Sequence, residues 1–131
     1  MNISDFTQSD APLQKFLTGY LEAMCFCDLP EEFVASGPFD MGDWANKLSP
    51  DLLKKATEDS VKFLEYAHDM VKHHYKMAGA DLWFTRCGHG VGFWSREEVW
   101  GNDADTLKEI VQLHFSEMYL YIGDDDLLYI E

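Results

Sequence analysis

The side chains with the most chemical potential lie in one short stretch, residues 86–98. Arg86, His89 and Arg96 could bind an anion or transfer a proton, and Glu97 and Glu98 follow them directly. Catalysis, however, needs a base or nucleophile within hydrogen-bond reach of an orienting partner, and proximity in sequence does not supply that geometry. An acid–base or anion site is therefore one hypothesis. We favour the other, in which Arg86 pairs with a carboxylate and acts as a tether.

Three glycines in the same stretch, Gly88, Gly90 and Gly92, have the spacing of a phosphate cradle. A phosphate-binding loop requires a strand, then glycines, then a helix whose N-terminal amides face the phosphate. Here the pattern predicts a second strand instead of that helix. We therefore expect Gly88 and Gly90 to permit a turn, and Gly92 to let a bulky neighbour such as Trp83 lie against the backbone.

Cysteines and one histidine raise the question of zinc. Cys25 and Cys27 lie near the end of a predicted helix, where they would point roughly 200° apart, and Cys87 and His89 are far along the chain. Three cysteines are also too few for a disulfide framework and indicate reduced thiols. We expect no metal ion, no cofactor and no catalytic residue.

The elements that must position these residues follow from hydrophobic periodicity. Helical spacing predicts helices over residues 11–26 and 50–77, with Ser49 capping the second, Pro50 at its first position and Gly79 stopping it. Alternation predicts a hairpin of strands 82–86 and 91–95, and a third helix begins near Thr106. A last hairpin joins strands 118–122 and 127–130. The predicted fold class is α+β: helix-helix-strand-strand-helix-strand-strand, one domain over residues 1–131, with the helices packed on a small, mostly antiparallel four-stranded sheet.

Alternation along these strands would give the sheet a second apolar face. Leu120, Ile122, Leu128 and Ile130 would face the helices, whereas the opposite face would carry Trp83, Trp94, Tyr119, Tyr121 and Tyr129. The N-terminal region is one cover for that face. The alternative is an exposed aromatic platform for a partner or for a second subunit.

The charge balance excludes several classes of partner. The chain of 131 residues has 24 acidic residues against 10 Lys and Arg, so its net charge is -14. A surface of this sign repels nucleic acid and anionic lipid, and no apolar run approaches the length of a membrane span. The N-terminus also lacks the basic and apolar regions of a signal peptide, so we expect an intracellular protein.

The segment LWFTRCGHGVGFWSRE, residues 82–97, is the most distinctive in the chain. Together with FLTGYLEAM, residues 16–24, and YLYIGDDDLLYI, residues 119–130, it resembles a family of small bacteriophage and prophage proteins with a FWLTRNGHGxGFW-type core. Cys87 stands where the family pattern has Asn, and Asp126 stands where it has the hairpin Gly. The resemblance implies a phage or mobile-element origin, hence the cytoplasm of a bacterial host, and brings no reaction with it.

These observations predict a phage accessory protein that inhibits a host protein by acidic mimicry of nucleic acid. Carboxylates on a rigid scaffold can imitate phosphates, so a nucleic-acid-handling defence factor of restriction or CRISPR type would bind the decoy. The candidate acidic contacts are Glu31, Glu32, Asp40, Asp43, Glu97, Glu98, Asp103, Asp105, Asp124, Asp125 and Asp126. The candidate aromatic and hairpin contacts are Trp83, Arg86, His89, Trp94, Tyr119 and Tyr121.

Three alternatives stay open at this point. The acidity can serve solubility alone. The glycine-rich hairpin around Arg86, His89 and Trp94 can instead hold a small ligand or nucleotide, with or without catalysis. The chain can also associate with itself as a homodimer.

Overall fold

A computed structural model of the chain describes residues 12–28, 47–88 and 91–131. These residues form a mostly helical fold with one small sheet. The helices are α1 (Pro12–Asp28), α2 (Pro50–Val71), α3 (Tyr75–Arg86), α4 (Glu97–Trp100) and α5 (Ala104–His114), and the strands are β1 (Leu120–Ile122) and β2 (Leu128–Ile130). Short 3₁₀ turns, Phe93–Ser95 and Gly101–Asp103, flank α4.

The predicted four-stranded sheet is wrong. Within the described residues the sheet has two antiparallel strands, β1 and β2. Residues 82–86, predicted as a strand, are the last turns of α3, and residues 93–95, predicted as part of its partner, form a 3₁₀ turn. The α+β prediction with helices on a four-stranded sheet is therefore replaced by helices packed mainly on one another, with a single hairpin beside them.

Helix α2 begins as its sequence predicts and ends earlier. The Ser49 hydroxyl accepts a hydrogen bond from the Leu52 amide at 3.0 Å, and Pro50 occupies the first turn, where its missing N–H costs nothing. The predicted continuation to residue 77 is wrong, because the chain leaves the helix after Val71 and starts α3 at Tyr75.

Helices α1 and α3 cross at two glycines, which brings their backbones into direct contact. A Cβ on Gly19 would overlap the Lys76 carbonyl oxygen, and a Cβ on Gly79 would overlap the Phe16 carbonyl oxygen. Gly79 therefore does not stop a helix, as the sequence suggested. It lies inside α3 and permits the close approach of α1.

The C-terminal part of α3 is helical because its apolar face has helical spacing. Ala78, Leu82 and Trp83 are fully buried, and Arg86 is buried one turn later. Past the helix, the Phe93 amide donates to the Thr85 hydroxyl at 3.2 Å, which holds the following segment against α3. The group that approaches Gly92 closely is thus the Thr85 side chain, and not Trp83 as predicted.

The terminal hairpin is confirmed. Its register pairs Leu120 with Ile130, Tyr121 with Tyr129 and Ile122 with Leu128, so the aliphatic residues share the face that packs on the core. Leu128 is fully buried, and its amide and carbonyl groups bond to Lys47 and Ser49 just before α2. The hairpin is thereby fixed to the start of α2.

Candidate functional site

The chain from Glu97 to Glu131 carries ten acidic residues and a single basic residue, Lys108. Glu97 and Glu98 lie exposed in the first turn of α4, and Asp105 lies exposed in the first turn of α5, with Asp103 half-buried between them. Carboxylates are stable at such positions because the helix N-terminus is the positive end of its dipole. Four predicted contact residues, Glu97, Glu98, Asp103 and Asp105, are thus brought together in one short segment, which we call the α4–α5 acids.

A second acidic group occupies the turn between β1 and β2. Asp124, Asp125 and Asp126 are all exposed there. Asp125 also accepts hydrogen bonds from the Tyr129 hydroxyl at 2.7 Å and the Leu127 amide at 3.1 Å. These bonds lower the pKa of the Asp125 carboxyl, and the same contact raises the pKa of Tyr129 to about 12. Asp125 therefore stabilises the turn in which it lies, besides being a predicted contact residue.

Asp126 has a left-handed backbone conformation, with φ of 63°. This is the position at which the resemblance predicts glycine. Asp tolerates this region better than most residues, although glycine tolerates it at no steric cost. The turn thus has a third carboxylate, that of Asp126, at a position whose backbone conformation favours glycine.

The remaining predicted acidic contacts, Glu31, Glu32, Asp40 and Asp43, lie outside the described residues, and so does His89. Among the described residues, the predicted acidic contacts thus all lie between residues 97 and 131.

The predicted aromatic contacts divide into exposed and buried ones. Tyr119, Tyr121 and Trp94 are 63%, 44% and 42% exposed. Trp83, in contrast, is fully buried and packs edge-on against Tyr20, with ring centroids 5.6 Å apart. The aromatic platform, which was one of two alternatives for the second sheet face, does not form, because the four-stranded sheet is absent and Trp83 belongs to the core face of α3.

Arg86 lies in the core at the centre of a polar network. One terminal nitrogen donates to Asp59 Oδ2 at 2.8 Å and to the Tyr20 hydroxyl at 2.9 Å, and Nε donates to the Ser116 carbonyl at 2.8 Å. Arg86 thus pairs with a carboxylate, as the sequence analysis favoured. What it tethers is the segment before β1, since the hairpin predicted over residues 82–95 is absent.

A second buried carboxylate, Asp81, holds the residues around α4. Asp81 Oδ1 accepts from Arg96 Nε at 2.8 Å, and Oδ2 accepts from Trp100 Nε1 at 2.9 Å. Burial raises the pKa of this carboxyl, while the bonds from Trp100 and Arg96 oppose that shift. Arg86 and Arg96 therefore pair with two separate carboxylates, while His89, the centre of the acid–base hypothesis, lies outside the described residues.

Sequence reasoning missed Asp59, Asp81, Tyr20 and Trp100, which complete these networks. A signal existed for Asp59, because it falls on the stripe of α2 that also holds Leu52, Ala56 and Phe63. A carboxylate on an apolar stripe needs a partner, since an unpaired buried charge is strongly destabilising.

Metal ligation finds no support in residues 12–28, 47–88 and 91–131. They contain no group of three or more His, Cys, Asp or Glu side chains that could hold an ion. Burial raises the pKa of the Cys25 thiol to about 12, which keeps that sulfur protonated and therefore a poor ligand or nucleophile.

Comparison of the chain with family models, with curated proteins and with solved structures gives no match. In the described parts of the chain, no helix combines the length and apolar character needed to cross a bilayer.

Proposed function

We propose that this protein binds and inhibits a nucleic-acid-handling host protein by presenting carboxylates in place of phosphates. The observation that carries the proposal is the excess of acids in residues 97–131, where ten acids, nine of them exposed, accompany one base. Helices and a fixed hairpin hold these groups, so binding does not require ordering a flexible acidic tail.

The arrangement of the carboxylates suits electrostatic recognition. Asp105 and Glu109 are four residues apart on α5 and therefore project from the same side of the helix. A negative field of this kind accelerates encounter with a basic cleft and competes there with the nucleic acid. Exposed Trp94, Tyr119 and Tyr121 offer the apolar anchors that an acidic surface alone would lack.

The biological setting of the proposal rests on the resemblance to small phage and prophage proteins. Under this proposal the protein acts in the cytoplasm of a bacterial host. Its target is then a restriction or CRISPR complex. The charge of -14 argues against direct binding to nucleic acid and against an anionic membrane as the partner.

Affinity capture with the tagged full chain tests the proposal. From host lysate at about 50 mM NaCl we expect a nucleic-acid-binding protein to be captured, and we expect its release at about 500 mM NaCl, because salt screens charge pairs. Duplex DNA added to the complex should displace that protein. A captured protein that duplex DNA leaves in place would overturn the mimicry.

Two variants of equal net charge test whether binding depends on particular acidic residues or only on the overall acidity of the chain. The first, Glu97→Gln/Glu98→Gln/Asp105→Asn, removes three exposed α4–α5 acids, and the control, Glu58→Gln/Glu65→Gln/Asp69→Asn, removes three exposed acids from α2. Capture should fall at least about tenfold in the first variant and stay near the wild-type level in the control. Equal capture by both would mean that the acidity serves solubility alone.

The alternative, a small-ligand site at the glycine-rich segment, loses two of its supports. Arg86 is committed to Asp59 in the core, and the hairpin that would have formed the site is replaced by a helix and a 3₁₀ turn. Self-association is a separate alternative, for which sedimentation velocity of the free protein provides the test.

A further inference from the structure

A groove of about 970 Å³ runs beside the contact between α1 and α3, at the upper end of the size range of small-molecule sites. Its walls are two helices locked together at Gly19 and Gly79, so the groove is held open by packed backbone.

The charge of this groove is opposite to that of the molecule. Lys15, Lys76 and Arg96 line it against one carboxylate, Glu22, and His73 and His74 add two further basic side chains. The whole chain has only 10 Lys and Arg in a net charge of -14, so three of them in one groove is a marked local concentration. A cationic groove in an acidic protein attracts anions to that place alone.

The cations are available to a ligand. Lys76 pairs with Glu22 at 3.3 Å, yet the two side chains are 63% and 36% exposed, and such pairs are weak enough to exchange for a stronger partner. Lys15 is also exposed. It lies on the same face of α1 as Glu22, because residues 15, 19, 22 and 23 recur with helical spacing and all line the groove.

Arg96 is oriented by the buried network behind it. Its Nε is bound to Asp81, which is fully buried and also accepts a hydrogen bond from Trp100. This bond leaves the two terminal nitrogens of Arg96 outside the Asp81 pair, on a side chain that is 31% exposed. A guanidinium fixed in this way is preorganised to bind an oxyanion.

Apolar side chains complete the lining. Ala23, Met77 and Ala80 provide a surface for the body of an organic molecule beside the cationic groups. The first turn of α3 also borders the groove, and it has neither a side-chain cap nor an acidic residue. Several cations together with an uncapped helix terminus suit a multiply charged phosphate better than a single carboxylate.

We propose that this groove binds a nucleotide-sized phosphate ester, with its phosphates on Lys15, Lys76 and Arg96 and its ring on the apolar lining. Glu97 directly follows Arg96, yet none of the acids of residues 97–131 lines the groove, and occupation of the groove does not depend on the inhibitory function proposed above.

The test is isothermal titration calorimetry of the full chain with ADP, inorganic pyrophosphate and adenosine. ADP should bind at least about tenfold more tightly than either fragment, because only ADP supplies both the charge and the apolar body. Thermal shift gives the second readout, since a ligand that binds only the folded state raises the Tm. No binding of ADP at about 5 mM would overturn the proposal. Equal affinity for ADP and pyrophosphate would overturn the assignment to an organic ester.

Substitution of the two exposed lysines, Lys15 and Lys76, locates the site. Lys15→Gln/Lys76→Gln should weaken ADP binding at least about tenfold, whereas Glu22→Gln should tighten it about threefold by removing the competing carboxylate. Arg96 is left intact because it balances buried Asp81.

The matched control is Lys54→Gln/Lys108→Gln, which removes two cations that do not line the groove. Loss of ADP binding in this control to the same extent would assign the effect to net charge and overturn the site. A lowered Tm of the ligand-free Lys15→Gln/Lys76→Gln variant with unchanged ADP affinity would show that these lysines serve the fold.

Discussion

Asp59 binds two cations that differ in burial, and the difference predicts unequal contributions to stability. Arg86 is 3% exposed and lies 2.8 Å from Asp59 Oδ2, whereas Lys55 is 45% exposed and lies 3.2 Å from Oδ1. Arg86→Met should lower the free energy of unfolding by about 3–5 kcal/mol, because it leaves a buried carboxylate unpaired. Lys55→Gln should lower it by less than about 1 kcal/mol. Urea unfolding of both variants measures the contrast, and similar losses would mean that Asp59 is hydrated.

The contact between Asp125 and Tyr129 predicts that Tyr129 ionises at a higher pH than an ordinary tyrosine. The hydroxyl donates to the carboxylate and would face its charge after ionisation, so the pKa of Tyr129 rises from 10.0 to about 12. A folded-state pKa above the unfolded value means that the contact contributes fully below about pH 10, and that its contribution disappears as the pH rises through about 12. In Asp125→Asn the pKa of Tyr129 should fall toward 10, as measured by ring ¹³C shifts, while Asp124→Asn should leave it near 12. An unchanged pKa in Asp125→Asn contradicts the contact.

For single residues, the sequence shows that Asp59 needs a partner but not which residue provides it. Asp59 on an apolar stripe demands compensation, yet Arg86 lies 27 residues later and Tyr20 lies on another helix. Their meeting depends on how α1, α2 and α3 pack, which local spacing does not encode.

The crossing of α1 and α3 predicts that Gly→Ala, which usually stabilises a helix, destabilises this protein at Gly19 and Gly79. In an exposed helix, Gly→Ala stabilises by roughly 0.5–1 kcal/mol. At Gly19 and Gly79 the added methyl would meet a carbonyl oxygen of the opposing helix, so each Gly→Ala variant should lower the unfolding free energy by about 1–3 kcal/mol. Thermal or urea unfolding decides the sign, and a stabilised Gly79→Ala would mean that the helices lie further apart.

The same close approach explains why part of the fold eluded the sequence analysis. Gly79 followed by a short stretch rich in aromatic residues is typical of a helix end and a strand, which is why the sequence predicts residues 82–86 in a sheet. Leu82 and Trp83 nevertheless continue the buried face begun by Ala78, and packing against α1 outweighs their strand propensity. The start of α2 and the terminal hairpin could be predicted because Ser49-Pro50 and the pairing around the Asp-rich turn are local signals.

For the whole molecule, the sequence gives the number of charges but not how they are distributed in space. The excess of acids from Glu97 onward can be counted directly in the sequence. The basic groove cannot be predicted from it, because Lys15, Lys76 and Arg96 come from three distant parts of the chain and meet only when α1 crosses α3.

Self-repulsion within this charge distribution predicts that salt stabilises the protein. Raising NaCl from about 0.01 M to about 0.15 M shortens the screening length from about 30 Å to about 8 Å, which weakens repulsion among the acids. The Tm of the full chain should rise by about 3 °C, which corresponds to roughly 1 kcal/mol at this size. Differential scanning calorimetry measures the shift.

The two charge variants distinguish where that repulsion resides. Helix α2 has three lysines, Lys54, Lys55 and Lys62, among its acids, whereas the segment 97–131 has one. The variant Glu97→Gln/Glu98→Gln/Asp105→Asn should therefore lose more of the salt dependence than Glu58→Gln/Glu65→Gln/Asp69→Asn, although each removes three charges. A Tm that falls with salt would mean that attractive pairs dominate the molecule. Equal slopes in the two variants would mean that the C-terminal acids are no more crowded than those of α2, because only local crowding distinguishes two variants of identical net charge.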